Sequence, residues 1–125
     1  MNEKWKEFLA AVEKKCPQTH VYTQPEECLI YSHGCYPREY KWLLQGDYPY
    51  LTRAVVSPAD EVEISEIVKL ANEYEVGIIP YGGGSGIVGG TIPYQGEIMI
   101  DVKRLQDFSI NIVNGTARGG AGLTG

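Results

Sequence analysis

An α+β fold is the expectation for this chain, and three features of the sequence carry it. Apolar residues recur at helical spacing ahead of Tyr50, a strand–helix–strand run from Arg53 to Pro80 feeds a glycine-dense loop, and an Asn-Gly pair marks a hairpin near the far end. The expected order is N-terminal helices, a βαβ unit leading to the glycine-rich loop, then the start of an antiparallel strand and hairpin subdomain. The 125 residues fit one small domain, able to bury about 65% of its unfolded surface.

Trp5, Phe8, Leu9 and Val12 stand at i, i+3, i+4 and i+7, one stripe of a helix that ends before Pro17. Residues 17–35 alternate turn formers with short apolar pieces such as Cys28-Leu29-Ile30-Tyr31 and stay unassigned. Tyr36, Tyr40, Leu43 and Leu44 predict a second short helix, with Pro37 in its first turn and Gly46 as its stop. Ala54-Val55-Val56 reads as a strand. After it, Ser57 is expected to cap the next helix, with Pro58 at N1 and Asp60 at N3, a cap worth about 1 kcal/mol.

Ile64, Ile67, Val68, Ala71 and Tyr74 form the expected buried stripe of that helix, and Gly77 precedes the strand Ile78-Ile79-Pro80. Two strands joined by one helix are expected to run parallel with a right-handed crossover. That places the glycine loop at the C-terminal end of a parallel strand, the edge where ligands bind. Glu97 to Val102 reads as a further strand. Ile110 to Val113 is expected to turn through Asn114-Gly115 into Thr116-Ala117-Arg118, both turn residues taking φ > 0 as type I′ requires. Gly119 to Gly125 carries neither a closing strand nor a capping helix, so an interrupted domain is expected.

The loop Pro80-Tyr81-Gly82-Gly83-Gly84-Ser85-Gly86-Ile87-Val88-Gly89-Gly90 holds the functional information. Successive glycines allow φ > 0, close approach of a ligand, and convergence of backbone N–H groups on one anion. Gly84 to Gly89 satisfies G-x-G-x-x-G, but Thr91-Ile92-Pro93-Tyr94-Gln95-Gly96 opens no helix, which removes the dinucleotide fingerprint's anion site. No lysine lies between Lys69 and Lys103, so a nucleotide-hydrolysing P-loop is excluded as well.

A net charge of −5 without a basic cluster argues against nucleic acid and anionic membrane surfaces. No apolar run approaches ~18 residues, and the start at Met1-Asn2-Glu3-Lys4 lacks a signal core, so a cytoplasmic protein without a transmembrane segment is expected. Cys16, Cys28 and Cys35 are odd in number and read as free thiols. No C-x-x-C pair or clustered ligand set is present, and no metal site is expected. His20 and His33 lack a partner at motif spacing, and Lys103-Arg104 reads as a solvated strand end. None of the four is assigned a role.

The succession of strand, Ser57-Pro58 helix, Ile78-Ile79-Pro80, triple-glycine loop, Pro93, strand, Arg104-Leu105, hairpin and Ala121-Gly122 resembles the FAD-binding domain of the vanillyl-alcohol oxidase and p-cresol methylhydroxylase (PCMH-type) flavoproteins. The resemblance covers about Tyr50 to the end. Ile78 to Ser85, together with Ser32-His33-Gly34 and Trp42-Leu43-Leu44-Gln45-Gly46, is similar to the alkyldihydroxyacetone-phosphate synthase branch. It implies an N-terminal helical extension over 1–49 and the first, truncated part of the flavin domain over 50–125. It also implies that Pro80, Tyr81, Gly82, Gly83, Gly84, Ser85, Gly86, Ile87 and Val88 surround the FAD pyrophosphate, with Gly122 near the cofactor. Residues 77–96 contain no His or Cys, so the FAD is expected to be non-covalent. The parent would be an FAD-linked oxidoreductase of the 2-hydroxy-acid type or an alkyl transferase, with a small-molecule substrate and room for homo-oligomer assembly. A non-catalytic nucleotide-binding or assembly module is the alternative, with the loop a mere connection.

Overall fold

The computed structural model describes residues 3–124; Met1, Asn2 and Gly125, which fall within the expected domain spans, lie outside the described residues. The first helix, α1 (Lys4–Lys15), leads to a short strand, β1 (His20–Tyr22), and two further helices, α2 (Pro25–Tyr31) and α3 (Pro37–Gln45). Then follow β2 (Val55–Ser57), α4 (Glu61–Glu73), β3 (Ile78–Tyr81), β4 (Ile98–Asp101), and a hairpin of β5 (Phe108–Asn111) and β6 (Thr116–Gly119). The α+β class holds.

One sheet has the order β1-β2-β4-β3. β2 and β3 each pair parallel with β4, and β1 closes the far edge antiparallel. The strands flanking α4 therefore run parallel as expected, but β4 inserts between them. Side-chain alternation divides the core into two faces. Val56, Ile98 and Ile100 meet Phe8, Leu9 and Val12 of α1 and Ile67, Leu70 and Ala71 of α4 on one side. Val55, Met99 and Tyr81 form the other face, with Tyr22, Tyr31 and Ile79 packed against them.

Pro80 fits β3 because the strand lies at the sheet edge. Tyr81 O accepts from Val102 N at 3.0 Å and Gly77 O from Ile98 N at 2.9 Å, so the odd-numbered residues face β4. Pro80 looks outward and its missing N–H breaks no ladder bond.

Three expectations are corrected, and the unassigned segment gains its elements. Ser57 does not cap α4: it belongs to β2, paired with His20 of β1, and the cap is Asp60, whose carboxylate accepts from Glu63 N at 2.9 Å. The contribution of about 1 kcal/mol moves with it. In the α4 stripe, Ile67 and Ala71 are buried but Val68 is 38% exposed, and Leu70 takes its place. The 17–35 segment holds both β1 and α2, the latter opened by a reciprocal Gln24–Glu27 capping box with Pro25 at its start.

The hairpin also differs. Asn111 pairs directly with Thr116, leaving a longer loop than the expected type I′ turn. Asn111 Oδ1 accepts from Val113 N at 3.1 Å and Asn114 N at 3.3 Å, an Asx-type turn. Only Gly115 takes a positive φ, +65°.

Glu63 shows how α4 is tied to the chain ahead of it. Its carboxylate accepts from Gln18 N at 2.9 Å, Thr19 Oγ1 at 2.8 Å and Ala59 N at 2.9 Å. Burial pushes the carboxyl up, but those donors and the nearby Arg104 charge outweigh it, and the net direction is down from 4.5. A depressed carboxylate contributes stability above the ordinary glutamate range and loses it as pH falls through the folded-state value. Urea unfolding of the wild type is therefore expected to weaken more steeply than that of Glu63→Gln between about pH 5 and pH 3. Parallel curves for the two proteins would contradict this role.

Candidate functional site

The glycine loop leaves β3 at the C-terminal edge of the parallel strands, as its position in the sequence requires. Among the described residues, none of the N–H groups from Gly82 to Val88 donates a hydrogen bond within the chain. Exposed loops can satisfy such donors with water. Here they follow one another along a single short loop in which four of the seven residues are glycine, and successive main-chain N–H groups of this kind are a feature of anion-binding turns.

The glycines of the loop divide into two kinds. Gly84 and Gly89 have φ of +67° and +76°, and a Cβ there would strike Tyr81 Oη or come within 3.1 Å of Tyr36. They are required by the fold of the loop itself. Gly82, Gly83 and Gly86 do not take positive φ, so that of the three successive glycines only Gly84 uses this freedom. A Cβ on Gly86 would meet nothing within 4 Å, and one on Gly82 or Gly83 would meet only ordinary contacts at 3.9 Å. The protein's own packing does not demand glycine at these places, and the main chain there lies bare.

Two segments flank the loop. On one side, Gly86 O accepts from Cys35 N at 3.1 Å, and Tyr81 Oη donates to His33 O at 3.3 Å. On the other, Ala121 and Thr124 approach Gly82 and Gly83. Gly122 anchors this second wall: a Cβ would strike the carbonyls of Val102 and Lys103, and its N–H donates to Leu105 O at 2.9 Å. That N–H is therefore engaged within the chain.

The remaining expected residues are placed as follows. Pro80 and Tyr81 end β3, Tyr81 buried and Pro80 exposed. Ser85 is exposed in the loop, and Ile87 and Val88 are 67% and 82% exposed. The loop opens no helix, in agreement with the sequence.

A polar cluster next to the loop has no local signature in the sequence. Asp101, 4% exposed at the end of β4, accepts from Tyr31 Oη at 2.7 Å and Lys103 N at 2.9 Å, and pairs with Lys103 Nζ at 3.0 Å. The Lys103 ammonium also lies 4.5 Å from the Tyr31 ring and 4.9 Å from the Tyr81 ring, whose negative faces favour it. Burial, then the Asp101 bond, pushes the Tyr31 phenol up, and burial does the same for Tyr81. Both phenols stay neutral donors. Arg104 is occupied too, donating to Gln18 O at 2.7 Å and Ser57 O at 2.8 Å. The basic pair is therefore structural. Its role was invisible because Tyr31 and Asp101 are separated by 70 positions.

Cys16, Cys28 and Cys35 are free thiols. Among the described residues no cluster of His, Cys, Asp or Glu could hold a metal ion, and no helix is long and apolar enough to cross a membrane.

Residues 52–125 match the family described as an FAD binding domain. D-lactate dehydrogenase of Archaeoglobus fulgidus is 34% identical over 70 residues, covering 56% of this chain and 16% of that protein. A solved alkyldihydroxyacetonephosphate synthase superposes with a TM-score of 0.74 at 26% identity, covering 85% of this chain and 20% of that one. p-Cresol methylhydroxylase shares the fold at 14% identity, with a TM-score of 0.62 over 89% of this chain and 21% of its own. The chain thus spans about a fifth or less of the proteins it matches here. With the family match spanning more than half of its residues, the chain belongs to the FAD binding domain family. Its cofactor is FAD. Bound flavin supplies electron-transfer chemistry, and the protein supplies its grip and orientation.

Proposed function

We propose that Gly82 to Val88 hold the pyrophosphate of FAD through main-chain N–H groups, with Ser85 Oγ as a further donor, in a domain beginning near Tyr50. The single observation that carries this reading is the run of unpaired amides beside glycines whose Cβ positions are open. Pro80 and Tyr81 set the loop's departure from β3, and Gly122 sets the facing wall. The helices before Tyr50 form an extension that backs the loop.

The FAD is held non-covalently. The loop contributes no nucleophile, while His33 and Cys35, which the fold brings to it, approach through the carbonyl side, where Gly34 faces Gly84 O and Gly86 O. Acid precipitation of the flavin-loaded protein is the direct check, since FAD left with the pellet would contradict it.

The domain serves an FAD-linked oxidoreductase acting on a small 2-hydroxy acid, or an enzyme of the alkyldihydroxyacetonephosphate synthase type. Support comes from the D-lactate dehydrogenase and synthase similarities. Free thiols suit a reducing, cytoplasmic setting.

Gly86→Ala tests the grip. The open space around Gly86 and its ordinary backbone predict an unfolding free energy within about 0.5 kcal/mol of wild type. FAD affinity is expected to fall at least about tenfold, a cost of about 1.4 kcal/mol, because the methyl group occupies the diphosphate's place. Unchanged flavin binding in a folded Gly86→Ala protein would sink the assignment.

A further inference from the structure

Behind the glycine loop the structure is thinly filled. A cavity of about 340 Å³ opens there, lined by Ile30, Cys35, Glu39, Leu43, Tyr81 and Gly84 among others. At this place the loop is backed by hydrogen bonds to the α2–α3 connection, where a packed core would otherwise stand. Cys35 N donates to Gly86 O at 3.1 Å, Tyr81 Oη donates to His33 O at 3.3 Å, and Gly34 faces the Gly84 and Gly86 carbonyls. A Cβ on Gly34 would sit 3.4 Å from both carbonyl oxygens and 3.3 Å from Thr91 Oγ1.

What fixes the connection is Glu39. It lies on the first turn of α3, is 4% exposed, and its Oε1 accepts from Gly34 N at 2.9 Å. Its Oε2 is buried and has no partner among the described residues. A carboxylate kept out of water with one oxygen unpaired costs free energy. Stability alone does not account for it, whereas a fixed acceptor for the Gly34 N–H does.

We infer that Glu39 is a positioning residue for the phosphate loop: it locks Gly34, and with it Cys35, whose N–H holds the Gly86 carbonyl, so that the amides on the loop stay preset for a diphosphate. The inference rests on the pyrophosphate reading above for its consequence, though the bracing itself does not. Preset donors spare a ligand the ordering of the loop. Loss of the brace therefore lowers affinity without removing any group that touches the ligand.

The test uses ¹⁵N-labelled chain as wild type, Glu39→Ala and Glu39→Gln, reading backbone order parameters of residues 82–88 without ligand and FAD affinity by amide-shift titration. Wild type is expected near 0.85 and Glu39→Ala below about 0.6 in these residues, with FAD affinity weakened about tenfold by loss of a charge-assisted acceptor. Glu39→Gln keeps a carbonyl oxygen for Gly34 N and is expected to restore both readings. Glu39→Gln behaving as Glu39→Ala overturns the acceptor role, and a folded Glu39→Ala with unchanged loop order and affinity overturns the inference. Should Glu39→Ala fail to fold, Glu39→Met carries the same test, since it keeps the side-chain length but offers Gly34 N no oxygen acceptor, and unchanged loop order there refutes the brace. If FAD leaves the wild-type loop amides unmoved while Glu39→Ala still loosens them, the pyrophosphate reading fails and the brace stands. If FAD moves them equally in both proteins with loop order unchanged, the brace fails and the reading stands.

Discussion

Gly84→Ala is expected to destabilise the domain by about 3 kcal/mol and to abolish measurable FAD binding. The backbone at Gly84 has φ of +67°, which costs an alanine about 1–2 kcal/mol. The added Cβ would also strike Tyr81 Oη and stand 2.8 Å from its Cζ. Tyr81 cannot yield freely, because its buried ring meets Tyr31 edge-on at 5.0 Å and carries the Lys103 ammonium at 4.9 Å. Pushing the ring aside breaks the Tyr81–His33 bond and shifts the strand end from which the loop departs. Combining Tyr81→Phe with Gly84→Ala is expected to recover part of the loss, since the hydroxyl is the nearest obstacle. Urea unfolding of the four proteins in this cycle gives the coupling directly, and strictly additive losses would contradict the steric account.

Gly122→Ala is the second large effect, about 3–4 kcal/mol. Its Cβ would strike Val102 O and lie 2.6 Å from Lys103 O and 2.7 Å from Lys103 C. Main-chain atoms just beyond a fully buried strand have no room to retreat. The closing segment must instead lift from β4, carrying away the Gly122–Leu105 bond and the Ala121–Thr124 wall beside Gly82 and Gly83. Flavin affinity is expected to fall with stability. Calorimetric unfolding with and without FAD separates the two losses, and a Gly122→Ala protein of wild-type stability would show that the close approach is not held in solution. The contrast with Gly86→Ala is informative: packing demands glycine at position 122, and it makes no such demand at position 86.

The elements that were legible in the sequence are those whose signal is local and long enough to repeat. The stripes of α1 and α4, the Pro37 and Gly46 bounds of α3, and the passage from β3 into the glycine loop all meet that condition. β1 spans only three residues, too few for alternation to show, and α2 owes its start to the Gln24–Glu27 box, a cap pattern with Gln where Ser or Thr usually stands. Ser57 misled because two uses compete for it: its backbone pairs with β1, which keeps it extended and passes the cap to Asp60. Asn111 likewise captures the Val113 and Asn114 amides and lengthens the hairpin loop.

At the site, the glycines were legible but not their division of labour, since φ and surrounding space are properties of the folded chain. Tyr31, Asp101 and Glu39 escaped altogether, and Lys103, which the sequence presents as a solvated strand end, is engaged with Asp101 and two tyrosine rings. Each acts on residues distant in sequence or through a backbone N–H, and neither leaves a motif.

The most direct measurement is an amide-shift map of the ¹⁵N-labelled chain titrated with FAD. The N–H signals from Gly82 to Val88 are expected to move first and furthest. Large shifts centred elsewhere, at the start of α4 for instance, with the loop signals unmoved, would contradict the claim that bare main chain in this loop grips the diphosphate.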